Sequence, residues 1–303
     1  FEWGAAAAKA IVNRDIDVGI PGFTGQGELW SADWRWWTHR PRVAFAFAAP
    51  RAGWLPGVWS VEGSWESQRY ILDRNTRAFV DETRAHAGVS VGDWLSGNLR
   101  YRVAAGFDAW NGAQRTASVG VELERRFARD RFGLFADADA FASVSAGSSF
   151  RSVGVRFDAR TSTNATRWGL AATAGANAVS SAAPFALWSG AGDGHARPAL
   201  LRAHPLLDDG AIDGPAFGRT LTYASGEARR WIDGVSPVRI AIAAFTDLAR
   251  ATDRLPGAIG APWQIDAGVG LRVRVPGTAG MLRADFARGL RDGARAFTVG
   301  WQY

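Results

Sequence analysis

The side chains able to do chemistry are few and dispersed. The chain has 303 residues and no Cys, which removes a disulfide framework, thiolate metal sites and a cysteine nucleophile, and leaves the redox compartment open. Its four histidines, His39, His86, His195 and His204, show no metal-ligand spacing. Gly88-Val89-Ser90-Val91-Gly92 matches the nucleophile-elbow string, but that motif needs a strand-to-helix turn with His and acid partners, and no helical pattern follows it. Ser90 reads instead as one inward member of an alternating strand. Asp208, Asp209 and Asp213 cluster carboxylates as a hard cation would require, yet the glutamate-ended binding loop is missing and a solvated acidic loop is the better reading. Asn164-Ala165-Thr166 fits a glycosylation acceptor and is read as a turn. Asp137 and Asp139 share a strand face and are assigned to arginines such as Arg156. The chain is therefore expected to be no enzyme, with no catalytic residue, cofactor or metal.

Composition narrows the partners. The formal net charge is +6 and Lys9 is the only lysine, so the basic residues are almost all Arg. They are spread among Asp and Glu rather than gathered into a patch, which argues against nucleic acid and for paired, inward charge. A hydrophobic fraction of 47% is ordinary for a folded protein. No run approaches the ~20 apolar residues of a spanning helix, which says nothing about a membrane barrel. Position 1 is Phe, without a signal-peptide pattern, so the chain is read as a mature or excised piece whose upstream periplasmic or passenger domain lies outside it.

Periodicity decides the class. From Trp263 to Val275 every odd position is apolar and every even one polar or Gly. Alternation of period two marks a strand with two unlike faces, and helical spacing cannot generate it. The same alternation runs through Leu99 to Asp108, Ala117 to Glu124, Val153 to Asp158 and Phe297 to Tyr303. A soluble sandwich also alternates. Three features favour a transmembrane barrel with an apolar exterior and a polar lumen. The segments reach the ~9–11 residues that a tilted spanning strand needs. Trp30, Trp34, Trp36, Trp37, Trp110, Trp168, Trp231 and Trp263 crowd segment ends, as aromatic girdles do. The apolar face is rich in Ala, Val, Leu and Phe.

Fifteen strands are expected, at 1–13, 27–37, 41–49, 57–70, 77–92, 97–110, 115–127, 131–143, 149–160, 166–178, 216–231, 237–248, 262–275, 279–290 and 295–303. Single-chain bacterial barrels have even numbers, so an all-β antiparallel barrel of 16 strands, with the first strand lost upstream of Phe1, is the reading for a single domain 1–303. Tight turn signals at Gly277-Thr278 and Asp233-Gly234 lie on one side, and the long connections 179–215 and 249–261 on the other. A loop as long as 179–215 is usually functional.

These segments resemble the bacterial surface-antigen barrels, the BamA/TamA-like assembly factors of the outer membrane. Leu201-Arg202-Ala203-His204 is similar to the family's Val-Arg-Gly-Phe/Tyr loop motif, with Ala203 in place of Gly and His204 in place of the aromatic. Gly226-Glu227-Ala228-Arg229, Phe245-Thr246-Asp247, Gly268-Val269-Gly270-Leu271-Arg272 and Leu282-Arg283-Ala284-Asp285-Phe286 resemble its later strands, and Asn13 through Glu28 resembles the turn that follows its second strand. The resemblance implies a luminal loop bearing Arg202. A guanidinium carried into a lumen keeps its proton and needs carboxylates, and strand parity turns Glu227 and Asp247 inward, so these two are the expected partners of a loop lock. Phe297, Val299, Trp301 and Tyr303 look like the C-terminal strand signal read by outer-membrane assembly machinery, for which strand addition is the physical basis. The expected function is a barrel of the outer membrane of a Gram-negative-type bacterium that assists insertion or translocation of proteins. Its expected partners are outer-membrane lipid and client or accessory outer-membrane proteins. The alternative is a passive channel, or the membrane anchor of an N-terminal, for example lipase-like, passenger.

Overall fold

The computed structural model describes residues 14–53, 55–73, 76, 78–145, 147–161, 167–192, 199–232, 238–253, 262–274 and 280–302. They form one antiparallel meander. Its strands are β1 (Asp15–Pro21), β2 (Leu29–Trp37), β3 (Arg40–Arg51), β4 (Gly57–Asp73), β5 (Ala78–Ser96), β6 (Leu99–Trp110), β7 (Gln114–Phe127), β8 (Phe132–Ser143), β9 (Phe150–Arg160) and β10 (Trp168–Val179). After the long loop come β11 (Thr220–Ile232), β12 (Arg239–Thr252), β13 (Gln264–Arg274), β14 (Met281–Gly289) and β15 (Arg295–Gln302). Each strand pairs with its successor, β10 with β11 included.

Fourteen of the expected segments coincide with strands; the segment 1–13 lies outside the described residues. The strand β1 lies where the sequence was read as part of a turn. Its Ile16, Val18 and Ile20 alternate with Asp15, Asp17 and Gly19, and only 22–28 turn, with Gly22, Gly25 and Gly27 at positive φ. The described residues thus hold fifteen strands of the meander. No ladder between β15 and β1 is present among them.

Alternation places the two faces as their chemistry requires. Val103 and Phe107 of β6, Val119 and Val121 of β7 and Val269 and Leu271 of β13 are exposed on the outer face, whereas Asp108, Asp247, Asp266, Arg272 and Asp285 have 0% exposure inside. A water-soluble fold would reverse this, because apolar area gains by leaving water. An apolar exterior around a charged interior is the arrangement lipid demands. Tight turns set the register. In the β6–β7 hairpin Asn111 and Gly112 adopt φ of 50° and 70°, the left-handed conformation that Asn-Gly tolerates and that matches strand twist.

Among the described residues, the conventional apolar core is confined to the loop between β10 and β11 and the walls it touches. Phe185–Leu187 form a single 3-10 turn, Ser189–Gly190 pair with Phe217–Gly218, and Leu207–Asp208 pair with Ala211–Ile212. Trp188, Leu206, Ile212 and Phe217 pack on Tyr70 of β4, while Ala191, Ala199 and Leu201 pack on Leu221, Tyr223, Ala249 and Ala251 of β11 and β12. The loop therefore touches sheet positions far apart in the meander, which shows the sheet wrapped around it.

Candidate functional site

β11 to β14 present inward residues of fixed parity, and the loop lays its Leu201-Arg202-Ala203-His204 segment across them. Arg202 is 2% exposed. Its Nη1 lies 3.3 Å from Glu227 Oε2 and 3.6 Å from Asp285 Oδ2, and its Nε lies 3.3 Å from Asp247 Oδ2. The backbone N–H of Arg202 donates to Asp247 Oδ2 at 3.3 Å, and the guanidinium carbon lies 3.8 Å from the centroid of the Phe245 ring. The structure thus brings Arg202, Glu227 and Asp247 together.

Two members of this cluster were not foreseen. Arg272 of β13 reaches Glu227 Oε2 and Asp285 Oδ1, both at 2.5 Å. Two guanidiniums are thereby held among three carboxylates, with Ser225 Oγ donating to Asp247 Oδ1 at 2.6 Å. Such burial of charge is tolerated only when partners and hydrogen bonds are nearly complete. Space comes from glycine. A Cβ at Gly270 would meet the Asp285 carboxylate, Ala284 O at 2.6 Å and Arg272 Nη1 at 2.8 Å. Strand parity would have revealed Arg272 and Asp285, since both fall on the inward face of strands already recognised.

His204 forms a second attachment. Its Nδ1 is 2.8 Å from Asp266 Oδ1 of β13 and its Nε2 2.7 Å from Asp292 Oδ2 in the β14–β15 turn. The neighbouring Ala203 N–H donates to Asp266 Oδ2 at 2.6 Å, and Ala203 packs against Phe245 and Ala287. The hydrogen bond to Asp266, helped by that to Asp292 and opposed by burial, raises the imidazole pKa to about 8. Asp292 is held below the usual carboxylate range by His204 and by the Ala294 N–H. The two departures from the family motif, Ala203 and His204, are thus both absorbed into packing. An imidazolium between two carboxylates fills the place of the aromatic.

The far end of the loop is fastened to the opposite wall. Glu82 of β5 accepts from the N–H groups of Phe185 at 3.1 Å and Ala186 at 2.7 Å. Gln68 of β4 donates to the Gly210 carbonyl at 2.7 Å, and Ile212 registers in parallel with Tyr70. Tyr70 stacks on Phe217 with centroids 5.6 Å apart. None of these partners carries a local sequence signal, because each joins residues more than a hundred positions apart.

Other candidates have plainer settings. Ser90 lies within β5 with Oγ 2.9 Å from Ser60 Oγ and 3.0 Å from Arg102 Nε. The Asp209 carboxylate lies 3.7 Å from Arg14 and 3.9 Å from His39. Asn164-Ala165-Thr166 and His195 lie outside the described residues. Arg156 does not answer Asp137 and Asp139 by an ion pair. It turns to Asp158 at 3.1 Å, two residues along its own strand face, and covers the Phe135 ring, while Asp139 accepts from Ser152. Of the terminal residues, Phe297 and Val299 point outward, 69% and 51% exposed, Trp301 lies in β15 opposite Leu282, and Tyr303 lies outside the described residues.

No protein-family model matches this sequence, and no relative emerges among the curated proteins. Solved structures do share its fold. BamA from Haemophilus ducreyi lacking POTRA domains 1-3 superposes with a TM-score of 0.68 at 15% identity, over 94% of this chain and 67% of that one. CdiB from Escherichia coli gives 0.63 at 14% identity over 95% and 58%, and CdiB from Acinetobacter baumannii 0.56 at 12% identity over 95% and 55%. The chain therefore spans little more than half the length of the CdiB structures. At these identities the likeness establishes the fold, an antiparallel transmembrane β-barrel of the BamA-like type.

Proposed function

We propose that this BamA-like barrel sits in the outer membrane of a Gram-negative-type bacterium and, without enzymatic chemistry, assists the insertion or translocation of other outer-membrane proteins. The observation that carries the reading is that the described parts of the loop, 180–192 and 199–219, fold into the lumen and are fastened to both walls, through Arg202 and His204 on one side and Glu82, Gln68 and Tyr70 on the other. A loop pinned to both walls narrows the path that a wide passive pore would leave open. An assembly factor needs a sealed lumen and a wall that yields at one place. The short strand β15, 8 residues long with Gly300 within it, provides the weaker pairing there. A client strand would add to that edge through backbone hydrogen bonds. Phe297 and Val299, which face outward, would serve with Trp301 and Tyr303 as the chain's own C-terminal signal.

The test is reconstitution into bilayers. The intact chain should hold low conductance, deletion of 179–215 should raise it severalfold, and the intact chain should speed membrane insertion of a second, unfolded barrel protein. Large steady conductance by the intact chain, with no effect on insertion, would establish the passive-channel alternative. Low conductance with no effect on insertion would leave the barrel as an anchor for a passenger.

A further inference from the structure

On the inner face of β11 to β14 the charges separate along the strands. Glu227, Asp247, Asp266 and Asp285 are engaged by Arg202, Arg272 and His204. Beyond them, toward the rim away from the loop, register sets Trp231, Ala241, Arg272 and Arg283 in one row and Arg239 opposite Arg274 in the next. Neither row contains Asp or Glu among the described residues. Arg272 reaches back to the carboxylates, and Arg283 lies 3.9 Å from Asp285. Arg239 and Arg274 have no carboxylate within ion-pair distance among the described residues. They approach the Trp231 ring instead, at 4.7 and 5.4 Å from its centroid. Nearby, Arg229 donates to Met281 Sδ at 3.4 Å and borders a cavity of about 420 Å³ that Arg202, Glu227 and Asp158 also line.

Like charges directly opposite across two strands repel, so Arg239 and Arg274 cost stability unless an anion joins them. A guanidinium laid on an indole keeps its N–H edge free for a planar carboxylate. We propose that this luminal mouth, built of Arg229, Arg239 and Arg274 around Trp231, binds an acidic polypeptide segment in extended conformation. Adjacent strands lie ~4.8 Å apart and alternate side chains of an extended chain ~6.8 Å apart, so successive same-face carboxylates fall within reach of successive arginines. The inner face turns away from lipid, which excludes a headgroup. The proposal does not depend on the transport reading, since a pore or anchor with this mouth would bind the same segment.

Binding of a fluorescein-labelled oligoglutamate peptide to the full chain in nonionic micelles, followed by anisotropy, tests it. Affinity should fall about tenfold or more in Arg239→Gln/Arg274→Gln and weaken with salt. It should be unchanged in Arg125→Gln, whose side chain lies on the outer face near the same rim. Heat-modified gel migration of the double variant shows whether the barrel is intact. Equal peptide binding by an intact double variant would overturn the proposal. So would inorganic phosphate competing as strongly as the peptide, which would reduce the mouth to a simple anion site.

Discussion

The imidazole of His204 lies 2.8 Å from the carboxylate of Asp266, a residue with no solvent exposure. With Asp292 on its other nitrogen, this ring ties the luminal loop to the wall in a way that depends on its proton. The folded pKa is raised from 6.5 to about 8. A raised value means that the folded state holds the proton more tightly, so the contribution is complete below the unfolded pKa and is lost as pH climbs through about 8. A shift of that size corresponds to roughly 2 kcal/mol. The temperature of heat-modified migration should fall more steeply between pH 6.5 and 8.5 in the native chain than in His204→Gln. A level native profile would refute this.

Arg202→Ala removes one guanidinium from a buried set and leaves Asp247 without its cationic partner. Truncating one member of a buried pair typically costs ~3–5 kcal/mol. The heat-modified band should therefore convert at a lower temperature. Arg202→Lys should recover only part of the loss, because an ammonium cannot reach Glu227 and Asp247 as a fork. Unchanged migration in both variants would show that the loop is held by other contacts.

Glu82→Ala should loosen the other end of the loop. The half-buried N–H groups of Phe185 and Ala186 lose the Glu82 carboxylate, at ~1 kcal/mol for each hydrogen bond removed. Faster amide exchange at 185 and 186, together with more frequent opening events in planar bilayers, is expected. Exchange equal to that of the native chain would contradict the two-wall attachment.

A pair of glycines separates packing from propensity. Gly270→Ala drives a methyl group into the Asp285 carboxylate and should destabilise by ~1–3 kcal/mol. Gly226, on the outer face, has nothing within 4 Å of an added Cβ, so Gly226→Ala should be neutral or slightly stabilising. Thermal melts in the same detergent compare the two. Equal effects would mean that the inner face has more slack than its distances indicate.

The class of fold was legible because alternation is a local property. Val119 and Val121 against Gly120 and Glu122 announce two faces whatever the rest of the chain does, and Arg-bearing inner faces point to a wet lumen. The strand β1 was missed because its run of seven is short and bordered by Gly and Pro, which read as a turn. Parity also oriented Glu227 and Asp247, and with the family resemblance it singled out Arg202.

What the amino-acid sequence determined by itself was which side of each strand is charged. The tertiary structure decided which charges meet. Arg156 chose Asp158 over Asp137, Arg272 joined Glu227 to Asp285, and His204 took the place of an aromatic between Asp266 and Asp292. Alternation is written in neighbours one and two residues apart. Ion pairs across a lumen depend on strand register and on how a long loop folds back, and both are settled only when distant segments close on one another.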